Sequence, residues 1–197
     1  MAQKSNLNTF QLKVTLLKTN PVVWRKVWLP ATFNFYQLHM ALQAAFGWEN
    51  SHLFQFCKNG MSDVDGIGIP NEEYPVRDAR KVKLNQVMAE ANKRYKYIYD
   101  FGDNWEHQID LEGITDDAAP IAVCVDGAGE CPPEDVGGQP GYMEMLKVLD
   151  GGASEERQQY REWLGLSARQ SWNPKYYNQR EVNKRMSLLS PEEFTFG

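Results

Sequence analysis

Two stretches of this 197-residue chain concentrate side chains able to do chemistry. "YDFGDNWEHQIDLE" (99–112) sets Asp100, Asp103, Trp105 and His107 around one tight turn, and "CPPEDVGGQPGY" (131–142) places Glu134 and Asp135 between prolines and glycines. Four carboxylates supply the oxygen ligands that a hard divalent cation takes. His107 or His52 would serve as general base beside such an ion. Together they would suit a metal-dependent hydrolase or nuclease-like enzyme. The same residues also have structural uses. Asp103 can accept a bond from the backbone two residues on and hold its turn, and Glu134-Asp135 can cap the turn that leads to a helix at Gly141. His107 shares a strand side with Trp105, Ile109 and Leu111, which suits a hydrogen-bonded core histidine and a core indole. We therefore read His52, Asp100, Asp103, Trp105, His107, Glu134 and Asp135 first as the acidic polar site of a non-enzymatic binding or accessory module. The metal-dependent enzyme is the alternative.

Other chemistries fare worse. "GECPPEDVGGQPG" has no Lys for a phosphate, no Ser or Thr for magnesium, and three carboxylates where an anion would sit, which excludes a nucleotide loop. Cys131 is flanked by Glu130 and Glu134, whose charge opposes thiolate formation. Cys124 and Cys131 have six residues between them, more than the two to four usual for paired zinc ligands, so they are weak metal candidates and no zinc is expected. Cofactors are not called for, with a divalent cation the one class left open. A basic run, Arg77, Arg80, Lys81, Lys83, Lys93, Arg94 and Lys96, offers a weaker alternative of nucleic-acid binding, against the net charge of −5.

That charge is unevenly placed. Between Tyr97 and Leu146 there are twelve Asp or Glu and no Lys or Arg, which predicts an acidic end, fit for a basic protein partner or a cation, and a mildly basic end. Hydrophobic residues at 42% and aromatics at 12% describe an ordinary globular chain. No apolar run reaches membrane-spanning length and the N-terminus lacks a signal-peptide core, so a cytoplasmic protein with no membrane association is expected. Its length suits one domain, 1–197, with a core over about 9–187.

The elements that must position the turns follow from periodicity. "TFQLKVTLLKT" and "VVWRKVWLP" alternate as two strands of a hairpin, turned at Asn20-Pro21. Asn34 caps a helix over "FYQLHMALQAAF" that Gly47 ends. "HLFQFCKNGM" reads as a strand closing on Asn59-Gly60, 62–74 as a loop, and "VKLNQVMAEANK" as a short helix. Tyr95, Tyr97, Tyr99 and Phe101 share one strand side, and Trp105, His107, Ile109 and Leu111 share the next. For those sides to coincide the loop must be odd in length. A three-residue Gly102-Asp103-Asn104 turn meets this, with Asn104 left-handed, Tyr99 opposite His107 and Tyr97 opposite Ile109. "PIAVCV" is a last strand, and "GYMEMLKVL", "SEERQQYREWLG" and "NQREVNKRMSLL" are helices. Strands early and helices gathered late predict an α+β fold with a mainly antiparallel sheet.

Taken in order, "NPVVWRKVWLP", "LHMALQAAFGWENSHLFQF", "YIYDFGDNWEHQIDLE", "VCVDGAGECPPEDVGGQPGY" and "REWLG…WNPKYYNQREVNKRM" resemble the plasmid pRiA4b ORF-3-like family, also described as insertion-element passenger proteins, from about Thr9 to Met186. The resemblance implies a single α+β domain without an established activity. It also implies motif positions at His39, His52, Asp100, Asp103, Trp105, His107, Glu134 and Asp135, and a link to mobile DNA. The sequence has no His-x-x-Arg, Glu-x-Lys or Asp-x-Lys, so the signatures of DNA strand breakage are missing.

Overall fold

The computed structural model describes residues 8–58, 60–61, 65–88, 93–117 and 119–189. In chain order these form β1 (Thr9–Leu16), β2 (Val23–Pro30), α1 (Phe35–Phe46), β3 (Phe54–Cys57), β4 (Ile67–Gly68), β5 (Arg77–Asp78) and α2 (Leu84–Val87). There follow β6 (Arg94–Tyr99), β7 (Trp105–Thr115), β8 (Val123–Ala128), α3 (Gly138–Asp150), α4 (Glu155–Trp163) and α5 (Gln179–Ser187). The fold is α+β. One eight-stranded sheet runs β5-β4-β3-β6-β7-β1-β2-β8, antiparallel except for the β4–β5 pair. Among the described residues no helix is long and apolar enough to cross a membrane.

The alternation in β1 puts Phe10, Leu12, Val14 and Leu16 on the inner face, and Trp105, His107, Ile109 and Leu111 of β7 lie on the same face. Burying one face of such a sheet is the main driving force for the fold, at about 25 cal/mol per Å² of apolar surface. Helix α1 covers that face. The Asn34 side chain accepts from Gln37 N at 2.8 Å, Gln37 Oε1 accepts from Asn34 N at 2.8 Å, and Gly47 at φ 90° ends the helix. Phe35 meets Phe56 edge-on at 5.1 Å, and Phe46 meets His107 at 4.9 Å.

The outer face of the same strands stays wet and carries ion pairs: Lys26–Glu112 at 2.9 Å, Arg94–Asp110 at 3.0 Å and Lys96–Glu106 at 3.5 Å. Exposed pairs of this kind contribute about 0–1 kcal/mol each and chiefly keep the face solvated. The acidic half of the sequence therefore does not collect into one acidic end. Glu106, Asp110 and Glu112 lie mid-sheet among lysines and arginine, and a smaller set of carboxylates gathers at the turns.

Arg25 breaks the inward apolar pattern of β2. It is buried and gives its donors to four carbonyls: Ala45 O at 3.0 Å, Trp24 O at 2.9 Å, Ala128 O at 2.9 Å and Gly129 O at 3.0 Å. Its guanidinium stacks over Phe46 and Tyr177. Desolvation lowers its pKa, and the four carbonyls, of which Ala45 O belongs to the C-terminus of α1, offset that cost. Beside Arg25, α5 closes the open edge of β8. Asn183 accepts from Cys124 N at 2.8 Å and donates to Cys124 O at 2.8 Å, which removes a strand edge open to pairing.

Several elements differ from expectation. The β6–β7 loop spans five residues, 100–104, so Tyr99 faces Trp105 and Tyr97 faces His107, two places from the expected register. The parity is as expected, and so is left-handed Asn104, at φ 53°. Phe101 leaves the strand and packs edge-on against Tyr74. The short strand β4 falls where a loop was expected over 62–74, and β5 lies just after it in a stretch given no element, because two-residue strands carry no periodicity. Strand β8 runs on to Ala128, and α3 starts at Gly138, three residues before Gly141. The expected turn at Asn59 and the helical extension through Ala91 lie outside the described residues.

Candidate functional site

Three loops meet beyond the ends of β3, β6 and β8: 47–53 after α1, 100–104 between β6 and β7, and 129–137 before α3. Each is shaped by local chemistry. Asp100 sits at φ 55°, and its Oδ1 accepts from Gly102 N at 2.9 Å and Asp103 N at 3.3 Å, while its carbonyl accepts from Asn104 N at 2.6 Å. Asp100, rather than the expected Asp103, therefore fixes the hairpin. Asp103 instead reaches across with Oδ2 to accept from Gly137 N at 3.2 Å. Gly138, at φ 65°, has no room for a side chain, because a Cβ there would stand 2.4 Å from Asp103 O. Only glycine lets the two turns close on each other at this point.

Glu134 is likewise not a cap for its own turn. Its Oε1 accepts from Tyr99 Oη at 2.5 Å and from Glu49 N at 3.0 Å, joining the β8–α3 segment to the sheet and to the loop after α1. Tyr99 Oη in turn accepts from Ser51 N at 3.0 Å, and Trp48 Nε1 donates to Pro132 O at 3.0 Å. Beneath them lies a buried polar ring. His39 Nε2 bonds Asn50 Oδ1 at 2.6 Å, and His39 Nδ1 bonds Tyr97 Oη at 2.8 Å. Gln43 Nε2 donates to Tyr97 Oη at 2.9 Å, and Gln43 Oε1 accepts from Asn50 N at 2.9 Å. Asn50, at φ 58°, is held in a left-handed conformation by that ring, which orients the short segment that ends in His52.

With Asp103 and Glu134 spent as ties, three side chains remain facing one another. His52 Nε2 lies 3.1 Å from Asp135 Oδ1 and 3.6 Å from Asp100 Oδ2. One ligand atom from each of His52, Asp100 and Asp135 falls within 4.8 Å of the others. Neither histidine contact has hydrogen-bond alignment, and Nε2, although buried, has no hydrogen-bond partner among the described residues. Asp100 is buried, whereas the Asp135 side chain, at φ 59°, is 73% exposed, so the group opens to solvent on one side.

The other expected members lie elsewhere. His107 is fully buried. Its Nδ1 donates to Trp105 O at 3.0 Å and shares Tyr97 O at 3.3 Å, and desolvation pushes its pKa down to about 3. It is a neutral core histidine and no base for solvent chemistry. Trp105 is core, 6.0 Å from Trp48. Cys124 and Cys131 are buried thiols whose pKa values burial raises, and neither belongs to the His52 group. The basic run is divided. Arg77, Arg80, Lys81 and Lys83 lie in and after β5 at the sheet margin, where Asp78 holds Arg80 at 2.8 Å and Lys81 at 3.9 Å. Arg94 and Lys96 are three strands inward on β6, paired with Asp110 and Glu106. A surface that interleaves both signs is a poor phosphate track. Tyr99, Trp48, Asn50 and Gln43, which hold the loops, carried no signal of that role in the sequence, because each acts through contacts distant along the chain.

The sequence model of the family described as "Plasmid pRiA4b ORF-3-like protein" matches residues 8–181. The chain is 43% identical over 185 residues to "Uncharacterized protein y4hQ" of Sinorhizobium fredii, covering 91% of each. A solved structure described as a protein of unknown function, MM3350 from Methanosarcina mazei Go1, superposes with a TM-score of 0.75 at 31% identity, over 89% of this chain and 97% of that one.

Proposed function

We propose that this chain, which belongs to the plasmid pRiA4b ORF-3-like family, is a binding protein that holds one divalent cation between His52, Asp100 and Asp135. The observation that carries this is the convergence of three ligand atoms from three separate loops, with the buried Nε2 of His52 left without a hydrogen bond. One imidazole nitrogen and two carboxylate oxygens suit a borderline or hard ion such as zinc, manganese or iron(II). Two aspartates match its charge, and three protein ligands leave coordination positions for water or a partner's group. The loops are tied by Glu134, Asp103 and Tyr99, so much of the ordering cost of the site is met during folding.

A hydrolase reading has one supporting observation, the open side at Asp135, where a metal-bound water would have room. Against it, His107 is sealed in the core and His52 is a ligand, so neither proposed base is free to act. Binding is the stronger reading. The accessory role in mobile DNA that the family name suggests would then be exercised through this centre.

The test is metal analysis of untagged protein by mass spectrometry, followed by calorimetric titration with zinc and manganese. One ion per chain is expected, with affinity reduced by about tenfold or more in His52→Ala and in Asp135→Asn. Asp103→Asn, which keeps its oxygen for Gly137 N, should bind as the parent does. Equal affinity in Asp135→Asn and the parent would overturn the site.

A further inference from the structure

Asp135 also forms one wall of a second feature. A cleft of about 340 Å³ lies between the β8–α3 turn and α4, lined by Asp135, Val136, Glu156, Gln159, Tyr160 and Trp163. Glu156, Gln159, Tyr160 and Trp163 follow the spacing i, i+3, i+4, i+7, so α4 presents them as one face. Tyr160 packs partly on the core, while Trp163 is 49% exposed, a large indole left to solvent beside a cavity. The two rings lie 6.3 Å apart with planes inclined at 59°, forming two inclined faces rather than a closed stack. Among the described residues no lysine or arginine lines the cleft. The nearest ones on α4 are engaged elsewhere: Arg157 Nε donates to Leu149 O at 3.1 Å, and Arg161 donates to Gln170 O at 2.9 Å and Ser167 O at 2.6 Å.

The geometry points to an organic-cation site: the cleft binds a quaternary ammonium or protonated amine between Tyr160 and Trp163, with Glu156 and Asp135 supplying the counter-charge. Indole and phenol faces attract cations through their quadrupoles, and two carboxylates at the rim set the sign of the ligand. The volume is that of a small molecule or a single side chain. Two carboxylates alone would not define such a site. The paired aromatic walls and the half-exposed indole are what select an organic ion over a hydrated metal. This inference rests on the proposed metal centre only in sharing Asp135. Because a metal ion on Asp135 neutralises one of the two counter-charges, the two ligands oppose each other, and each weakens the other by the same factor.

The experiment uses the full chain labelled on its indole nitrogens, with choline as probe and, as control, the neutral alcohol in which carbon replaces the quaternary nitrogen. Choline should move the Trp163 indole resonance saturably, and the neutral alcohol should bind about tenfold more weakly. Trp163→Ala and the exposed Glu156→Gln should each lower choline affinity, by about tenfold and several-fold. Saturating zinc should weaken choline binding in the parent and have no effect on it in His52→Ala. A blocked tripeptide with a central trimethyllysine presents the same group from a protein. Tighter binding than choline assigns the cleft to a peptide, equal or weaker binding assigns it to a free cation, and either supports the site. Equal binding of choline and the neutral alcohol, or an unmoved Trp163 resonance in the folded parent, overturns it. Failure of the metal centre would leave the choline results intact apart from the zinc effect. Failure of the cleft would leave metal binding intact.

Discussion

Each of the two acidic turns carries a pair of carboxylates, and in each the pair divides. Asp103 and Glu134 are spent on backbone amides and a tyrosine hydroxyl belonging to the neighbouring loops. Asp100 and Asp135 keep an oxygen for His52. Residue type and local spacing are the same on both sides of that division, so neither distinguishes a tie from a ligand. What distinguishes them is where an oxygen is placed: Asp100 Oδ2 and Asp135 Oδ1 face His52 Nε2, although Asp100 Oδ1 also ties its own turn. The histidines divide likewise. His39 and His107 are buried and neutral, His107 bonded through Nδ1 with its Nε2 enclosed in the core, whereas His52 stands at the boundary with its unclaimed Nε2 facing two carboxylates.

The junction between the two turns is most vulnerable at Gly138. Gly138→Ala puts a Cβ against Asp103 O at a left-handed backbone position, and a loss of about 3 kcal/mol or more is expected in urea unfolding, together with loss of metal binding. Glu134→Ala leaves Tyr99 Oη and Glu49 N without their acceptor. It should cost about 2–3 kcal/mol, read from the same unfolding curves. Acidification tests the buried histidines. Burial pushes His39 and His107 down from 6.5 to about 3, so below pH 6.5 the unfolded chain binds protons that the folded one refuses. Stability should fall as pH drops from about 6.5 toward 3, by about 1.4 kcal/mol per pH unit for each histidine at its steepest, and His107→Asn should flatten the slope. The smallest effect sharpens the division most. Asp135→Asn should leave stability within about 0.5 kcal/mol while removing the metal affinity that Glu134→Gln retains. A large stability loss in Asp135→Asn would place it among the ties.

Much of the scaffold was legible. The alternation of Phe10, Leu12, Val14 and Leu16, the cap at Asn34 and the stop at Gly47 each act within a few residues, and each appears where local rules put it. The parity of the β6–β7 loop was legible too, because Tyr97 and His107 could be buried together only if the loop was odd. Its length was not, since the bond from Asn104 N to Asp100 O competes with one more strand pair by a margin too small to read from residue types. Arg25 was hidden for the opposite reason. An arginine at an inward strand position contradicts the pattern, and only the four carbonyls gathered around it make its burial tolerable.

The candidate site shows the same limit. His52, Asp100 and Asp135 were all visible as residues able to ligate, but they stood among His107, Asp103, Glu134 and Trp105 with nothing local to rank them. By itself the sequence determined which elements form, which faces they bury and the pool of candidate ligands, because secondary-structure periodicity and capping are short-range. Which carboxylates face His52 depends on the assembled fold, because the donors that engage Asp103 and Glu134, namely Gly137 N, Glu49 N and Tyr99 Oη, arrive from segments 34 to 85 residues away along the chain.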